Sequence, residues 1–195
     1  MSNSSTKSAT TASIASALFG VSMFLCVASV NVPYQASGKT VLHWWQDDAN
    51  LTATIASLFF TTIAAVLFVV VMNYVRTLAS KAPGGDSSWT AFAHSMAGAF
   101  CSTMLVVAAT RGVIGRLVKI DGDPLPGLDV LRFSTGLNYA LLGTGAMGSL
   151  GLSMLAISIV VLKTRFLAKW VGVLGCVCSV PTLGAAVAMR GSLAT

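Results

Sequence analysis

Five apolar runs, at about 12–32, 51–75, 89–113, 137–162 and 168–189, fill most of this chain, and charged residues gather in the segments between them. A helix rises about 1.5 Å per residue, so each run can cross a hydrocarbon core of about 30 Å. The pattern predicts an all-α, polytopic transmembrane helical bundle with five spans. The Ser/Thr-rich segment 1–11 reads as a disordered tail, and 12–195 as a single transmembrane domain. Lys7 ahead of the first run and Val27-Ala28-Ser29 within it also have the form of a cleavable signal. A retained first helix is the reading adopted.

The junctions carry start and stop signals. Pro33 ends the first run, and Trp44-Trp45 beyond it predicts a short interfacial helix over 41–46, with indole rings at headgroup depth. Asp48 or Asn50 is placed to cap the second span, and Arg76 closes it where the helix dipole favours a cation. Pro83-Gly84-Gly85 forms a turn, and Ser87 or Ser88 caps the third span. A long loop over 114–136 follows, with Asp129 expected as the N-cap of a helix that carries Arg132 into the fourth span. Lys163-Thr164-Arg165-Phe166-Leu167 is a basic turn, and Pro181 should bend the fifth span, a neighbouring helix satisfying the freed carbonyl. Trp44, Trp45, Trp89 and Trp170 are the expected interfacial anchors.

Composition sharpens this picture. The 195 residues are 55% hydrophobic and 9% charged, with a mean hydropathy of +0.80, so the partner is first of all the lipid bilayer. The net charge of +6 comes from cations scattered beside apolar runs, without the basic, aromatic-interleaved patch of a nucleic-acid binder. All six acids are aspartates and none lies in an apolar run, which leaves few candidates for proton-coupled transport. With five spans, one side receives Lys7, Arg76, Lys81, Lys163, Arg165 and Lys169 against Asp86. The other receives Lys39, Arg111, Arg116, Lys119, Arg132 and Arg190 against five aspartates. The cation counts are equal, and those in the shortest turns place the amino terminus in the cytoplasm and the carboxy terminus outside a plasma (inner) membrane.

Candidate chemistry is sparse. Gly145, Ser149 and Ser153 recur every fourth residue, and Gly98 with Ser102 and Gly175 with Ser179 repeat the spacing, as helices that pack closely require. His94, Arg111, Arg116, Arg132 and Asn138 form the candidate polar site, with Arg111 expected to snorkel toward the outer headgroups. Cys26, Cys101, Cys176 and Cys178 fall in spans, where thiols act as small packing residues. Residues 176 and 178 lie about 200° apart around a helix and cannot chelate one ion together. His43 and His94 are predicted on opposite sides, which excludes a shared haem. No catalytic, metal-binding or cofactor-binding constellation emerges.

Three stretches resemble a family of small actinobacterial multi-span membrane proteins known mainly as a domain of unknown function. They are Phe68-Val69-Val70-Val71-Met72-Asn73-Tyr74-Val75-Arg76, the Gly/Ala/Ser-rich span 139–162, and Arg165-Phe166-Leu167-Ala168-Lys169-Trp170-Val171-Gly172-Val173-Leu174-Gly175. The likeness covers about three quarters of the chain; the Asp-rich loop after the third span departs from it. The resemblance implies a helical membrane fold and brings no catalytic residue. The expected function is a non-enzymatic accessory or structural subunit, partnered with other membrane proteins or with itself. The alternative is a small-solute or ion transporter or channel.

Overall fold

The computed structural model describes residues 2–33, 36–85 and 87–191, with side chains outside 2–9, 27, 185 and 187–191. Seven α-helices follow in order: α1 (Ser2–Ala28), α2 (Gly38–Gln46), α3 (Asp48–Ala79), α4 (Ser88–Lys119), α5 (Leu128–Ala140), α6 (Gly148–Thr164) and α7 (Lys169–Gly191). A π-helical segment, Leu141–Met147, joins α5 to α6 without a break. No strand occurs among the described residues.

Three helical rods are long and apolar enough to cross a membrane: Asp48–Ala79, Ser88–Lys119 and the continuous Leu128–Thr164 of 37 residues. The first and last helices contribute shorter apolar stretches, Thr10–Cys26 and Lys169–Gly184. The local signals explain most boundaries. Ser87 caps α4 by accepting from the Thr90 amide, and Asp47, one residue before the expected caps, holds the start of α3 by accepting from the Ala49 amide at 2.9 Å. Two expectations are corrected. The loop over 114–136 shrinks to 120–127, because α4 continues to Lys119 and α5 begins at Leu128. Gly127, with no side-chain bond, occupies the N-cap, and Asp129 sits in the first turn, where a carboxylate still suits the dipole.

Residues 2–11, expected as a tail, continue α1 backward. The expected short helix before α3 is present as α2. Pro181 is accommodated inside a continuous α7; beside it, Ser179 and Thr182 donate to Cys176 and Cys178 carbonyls of the same helix, not to a neighbour.

Packing runs in series, α1 against α3, α3 against α4, α4 against α6 and the π segment, and α6 against α7. The main core gathers Phe68, Phe100, Met104, Val107 and Leu142 around alanines 65, 93, 97 and 146. Phe19, Phe68 and Phe100 stack through it, with neighbouring ring centroids 5.1 and 4.8 Å apart. A second cluster, Val30, Val32, Val41, Trp45, Leu51, Ile114 and Leu131, closes the end of the bundle where α2 lies. Meanwhile Phe24, Phe59, Val66, Phe133, Val177 and Val180 are exposed, and Thr54, Ser57, Thr61, Ser153 and Ser179 are buried. Large apolar groups outside and small polar groups inside suit hydrocarbon as solvent, where helices meet through small residues and interhelical hydrogen bonds.

Candidate functional site

The interior polar group is built on Arg111. It lies on α4 about 11 Å beyond that helix's midpoint at 1.5 Å per residue. Its side chain is buried, and it turns into the bundle instead of reaching for the headgroups. Nε donates to Asn138 Oδ1 on α5 at 2.9 Å; Nη1 donates to the Cys26 carbonyl at 2.7 Å and lies 3.3 Å from Cys26 Sγ and 3.4 Å from Ser57 Oγ. One guanidinium thus ties α1, α3 and α5 to α4.

The chain's local structure explains each contact. Cys26 falls in the last turn of α1, where carbonyls lack an intrahelical donor and the dipole is negative, so a cation from another helix caps that end. Asn138 is buried and fully engaged: it accepts from Arg111, and its Nδ2 donates to the Val107 carbonyl at 3.0 Å and to Thr110 Oγ1 at 2.9 Å. Cys26 Sγ and Thr61 Oγ1 lie 2.9 Å apart, and Thr61 donates to the Ser57 carbonyl at 2.6 Å. The π segment begins three residues after Asn138. Such widened turns often mark functional sites.

A cavity of about 20 Å³ adjoins this group, lined by Val30, Val32, Trp45, Thr54, Thr110, Arg111, Ser134, Thr135, Asn138 and Tyr139. No described carboxylate pairs with Arg111. The ion pairs among the described residues, Arg116 Nε–Asp121 Oδ2 at 3.7 Å and Lys119 Nζ–Asp48 Oδ2 at 2.7 Å, both lie at the surface.

The five polar candidates therefore separate. Arg111 and Asn138 meet. Arg116 is exposed beside Asp121, and Arg132 donates to the Ala36 carbonyl at 2.9 Å from the outside of α5. His94 stands in the second turn of α4, far from Arg111, with a buried Nδ1 that has no partner. Of the tryptophans, Trp89 and Trp170 are exposed and Trp44 is half-buried. Trp45 is 4% exposed and packs inside the second cluster.

The small-residue positions separate as well. A side chain at Gly145 would come within 2.8 Å of Thr103 on α4, Ser153 donates to the Ala93 carbonyl at 2.9 Å, and Ser149 is buried on the same face. Gly175 abuts Ser158 on α6, and Ser179 is fully buried. Those five pack within the chain. Gly98 and Ser102 are exposed, and nothing lies within 4 Å of where a Gly98 side chain would be. Sequence reasoning missed Gly112 and Gly115, which let α4 approach Leu58 and Thr54 on α3, and Gly151 and Gly172 between α6 and α7. Ala108 and Gly112 do have the small-xxx-small spacing that could have revealed the first pair.

The fold defines a helical bundle in which three helices are long and apolar enough to cross a membrane, with a buried polar site inside it. No protein-family model, curated protein or solved structure matches the chain.

Proposed function

We propose that this chain is a non-enzymatic plasma-membrane protein of five crossings that serves as an accessory subunit, docking another membrane helix along α4. One observation carries the reading. Ala91, Ser95, Gly98, Ser102, Leu105 and Ala109 are all exposed, and their 4-3-4-3-4 spacing makes one nearly straight seam on the outside of α4. Lipid chains do not require small residues; a helix that must approach another does. The seam lies on a face of α4 that α3, α6 and the π segment leave exposed, and apart from Leu105 its residues are small. Whether its occupant is a second copy or a different protein is read from the composition of the complex.

In this reading α1 and α7 complete the crossings begun by the three longer rods, with the amino terminus inside and the carboxy terminus outside. The interior position of Arg111 supports that orientation. Without it, the outer side has five cations, Lys39, Arg116, Lys119, Arg132 and Arg190, against the six of the inner side.

The test is the mass and composition of particles extracted from the native membrane into lipid nanodiscs. Wild type should carry a stoichiometric second chain, and Gly98→Leu with Ser102→Leu should lose it while remaining folded, since neither position meets a neighbour. A wild-type particle holding only one 20.1 kDa chain would overturn the reading.

A second reading, passage of a small solute or ion, is favoured by the buried guanidinium beside a π-helical turn, a combination of charge and irregular helix found in transport sites. Flux in proteoliposomes that Asn138→Leu abolishes would move the weight to it.

A further inference from the structure

We propose that the cavity beside Arg111 is a binding site for a small monovalent anion of halide size, held by the Arg111 guanidinium and the Trp45 indole N–H. The argument starts from donors that lack acceptors. Guanidinium carries five N–H groups. Nε and Nη1 of Arg111 are engaged, while Nη2 has no hydrogen bond to a described residue. Trp45 reaches the same cavity from α2; it is 4% exposed, and its buried Nε1 has no partner. An indole nitrogen only donates, and no acceptor among the described residues reaches it. Two other buried side-chain atoms also lack partners, Ser29 Oγ and His94 Nδ1, but neither residue lines this space.

Charge separates an anion from a water molecule. Among the described residues the cavity wall contains one cation and no carboxylate. The α1 carboxy terminus, which Nη1 caps, supplies at most about half a negative charge. A guanidinium buried inside the bundle is therefore incompletely compensated, and uncompensated buried charge is costly. The hydroxyls of Thr54, Thr110, Ser134 and Thr135 all donate to backbone carbonyls, so the free donors at the wall are those of Arg111 and Trp45.

Size then selects the anion. A cavity of 20 Å³ exceeds the roughly 10–15 Å³ that one water requires, so a monatomic halide, only slightly larger than water, fits it better than sulfate or a lipid phosphate. The site does not depend on passage of the anion through the protein, nor on the docking seam of α4.

The test uses the full chain in nanodiscs of zwitterionic lipid, with bromide replacing gluconate at constant ionic strength and the thermal unfolding midpoint as readout. A ligand that binds only the folded state raises the midpoint in a saturable way. Wild type is expected to respond to bromide and not to sulfate. Trp45→Phe keeps the ring and removes the donor, and should weaken apparent bromide affinity by about 10-fold or more. Asn138→Asp, which places a fixed carboxylate against Arg111, should abolish the response. A wild-type midpoint indifferent to bromide would overturn the proposal and assign the cavity to water, as would an equal response to sulfate or an undiminished bromide response in both variants.

Discussion

Replacing Gly115 by alanine tests whether close backbone approach holds α3 against α4. The added methyl would overlap Thr54 Oγ1 and stand 2.9 Å from the Leu51 carbonyl oxygen and 3.1 Å from Ile55 Cγ1. None of these can yield easily. The carbonyl belongs to the α3 backbone, and Thr54 is 1% exposed with its hydroxyl donating to that carbonyl at 2.7 Å. A β-branched side chain has little rotamer freedom in a helix. Normal contact therefore requires the helices to part by roughly half an ångström or more, a change that overpacked interiors resist at about 1–3 kcal/mol. Alanine returns up to about 1 kcal/mol of helix propensity, so a net loss of about 1–2 kcal/mol is expected. Gly98→Ala is the internal control, since it gains the same propensity and meets nothing within 4 Å. Reversible unfolding in mixed micelles, followed by far-UV circular dichroism, should rank Gly98→Ala at or above wild type and Gly115→Ala below it. Equal stability of the two variants would refute the close-approach argument.

Two further outcomes follow from the same geometry. Gly112→Ala would press on Leu58, whose Cβ and Cγ lie 2.9 and 3.1 Å from the new atom; pairing it with Leu58→Ala should recover at least 0.5 kcal/mol in a double-mutant cycle of the order typical for contacting residues, and strict additivity would count against the contact. Arg165 caps α6 with φ 55°, a left-handed conformation that costs an ordinary residue about 1 kcal/mol, so Arg165→Gly should raise the thermal midpoint, and an unchanged or lower midpoint would show that its side chain compensates.

Sequence reading reached the helical class and the membrane-like composition because both follow from apolar run length, and hydrocarbon leaves the backbone few alternatives. It placed the third helix's start correctly because Ser87 is a strong cap. It stopped the same helix too early because the apolar run ends near Val113, whereas the helix continues to Lys119 through residues that pair and pack at the bundle end. The π segment was illegible: nothing in Leu141–Met147 distinguishes a widened turn from an α-helical one, and the register of α6 relative to α5 changes across it. Arg111 was visible as a cation at the end of the third apolar run, expected at the outer headgroups, and its turn into the bundle was not. Snorkelling assumes lipid beside the side chain, yet the tertiary arrangement puts the α1 carboxy terminus and Asn138 there instead. Trp45 likewise has an interfacial composition and an interior position, because α2 folds over the end of the bundle.

The way α1 is attached explains why the cation is tolerated there. The seams that join α3 to α4, α4 to the π segment and α6 to α7 each contain a glycine whose side-chain space is already filled by the neighbouring helix. α1 has no glycine of that kind: its one glycine, Gly20, meets nothing within 4 Å. It is held by Phe19 against Phe68 and Phe100, by Cys26 against Thr61, and by the Cys26 carbonyl on Arg111. Its buried face of Ala12, Ala15, Ser22 and Cys26 packs without glycine, and a charge-assisted bond to its last turn adds directional control of rotation and depth. The same bond leaves the opposite edge of the guanidinium beside the cavity. Anchoring α1 and presenting an unsatisfied cation to a small anion are thus two consequences of one side chain, so anion occupancy should act most strongly on the attachment of α1.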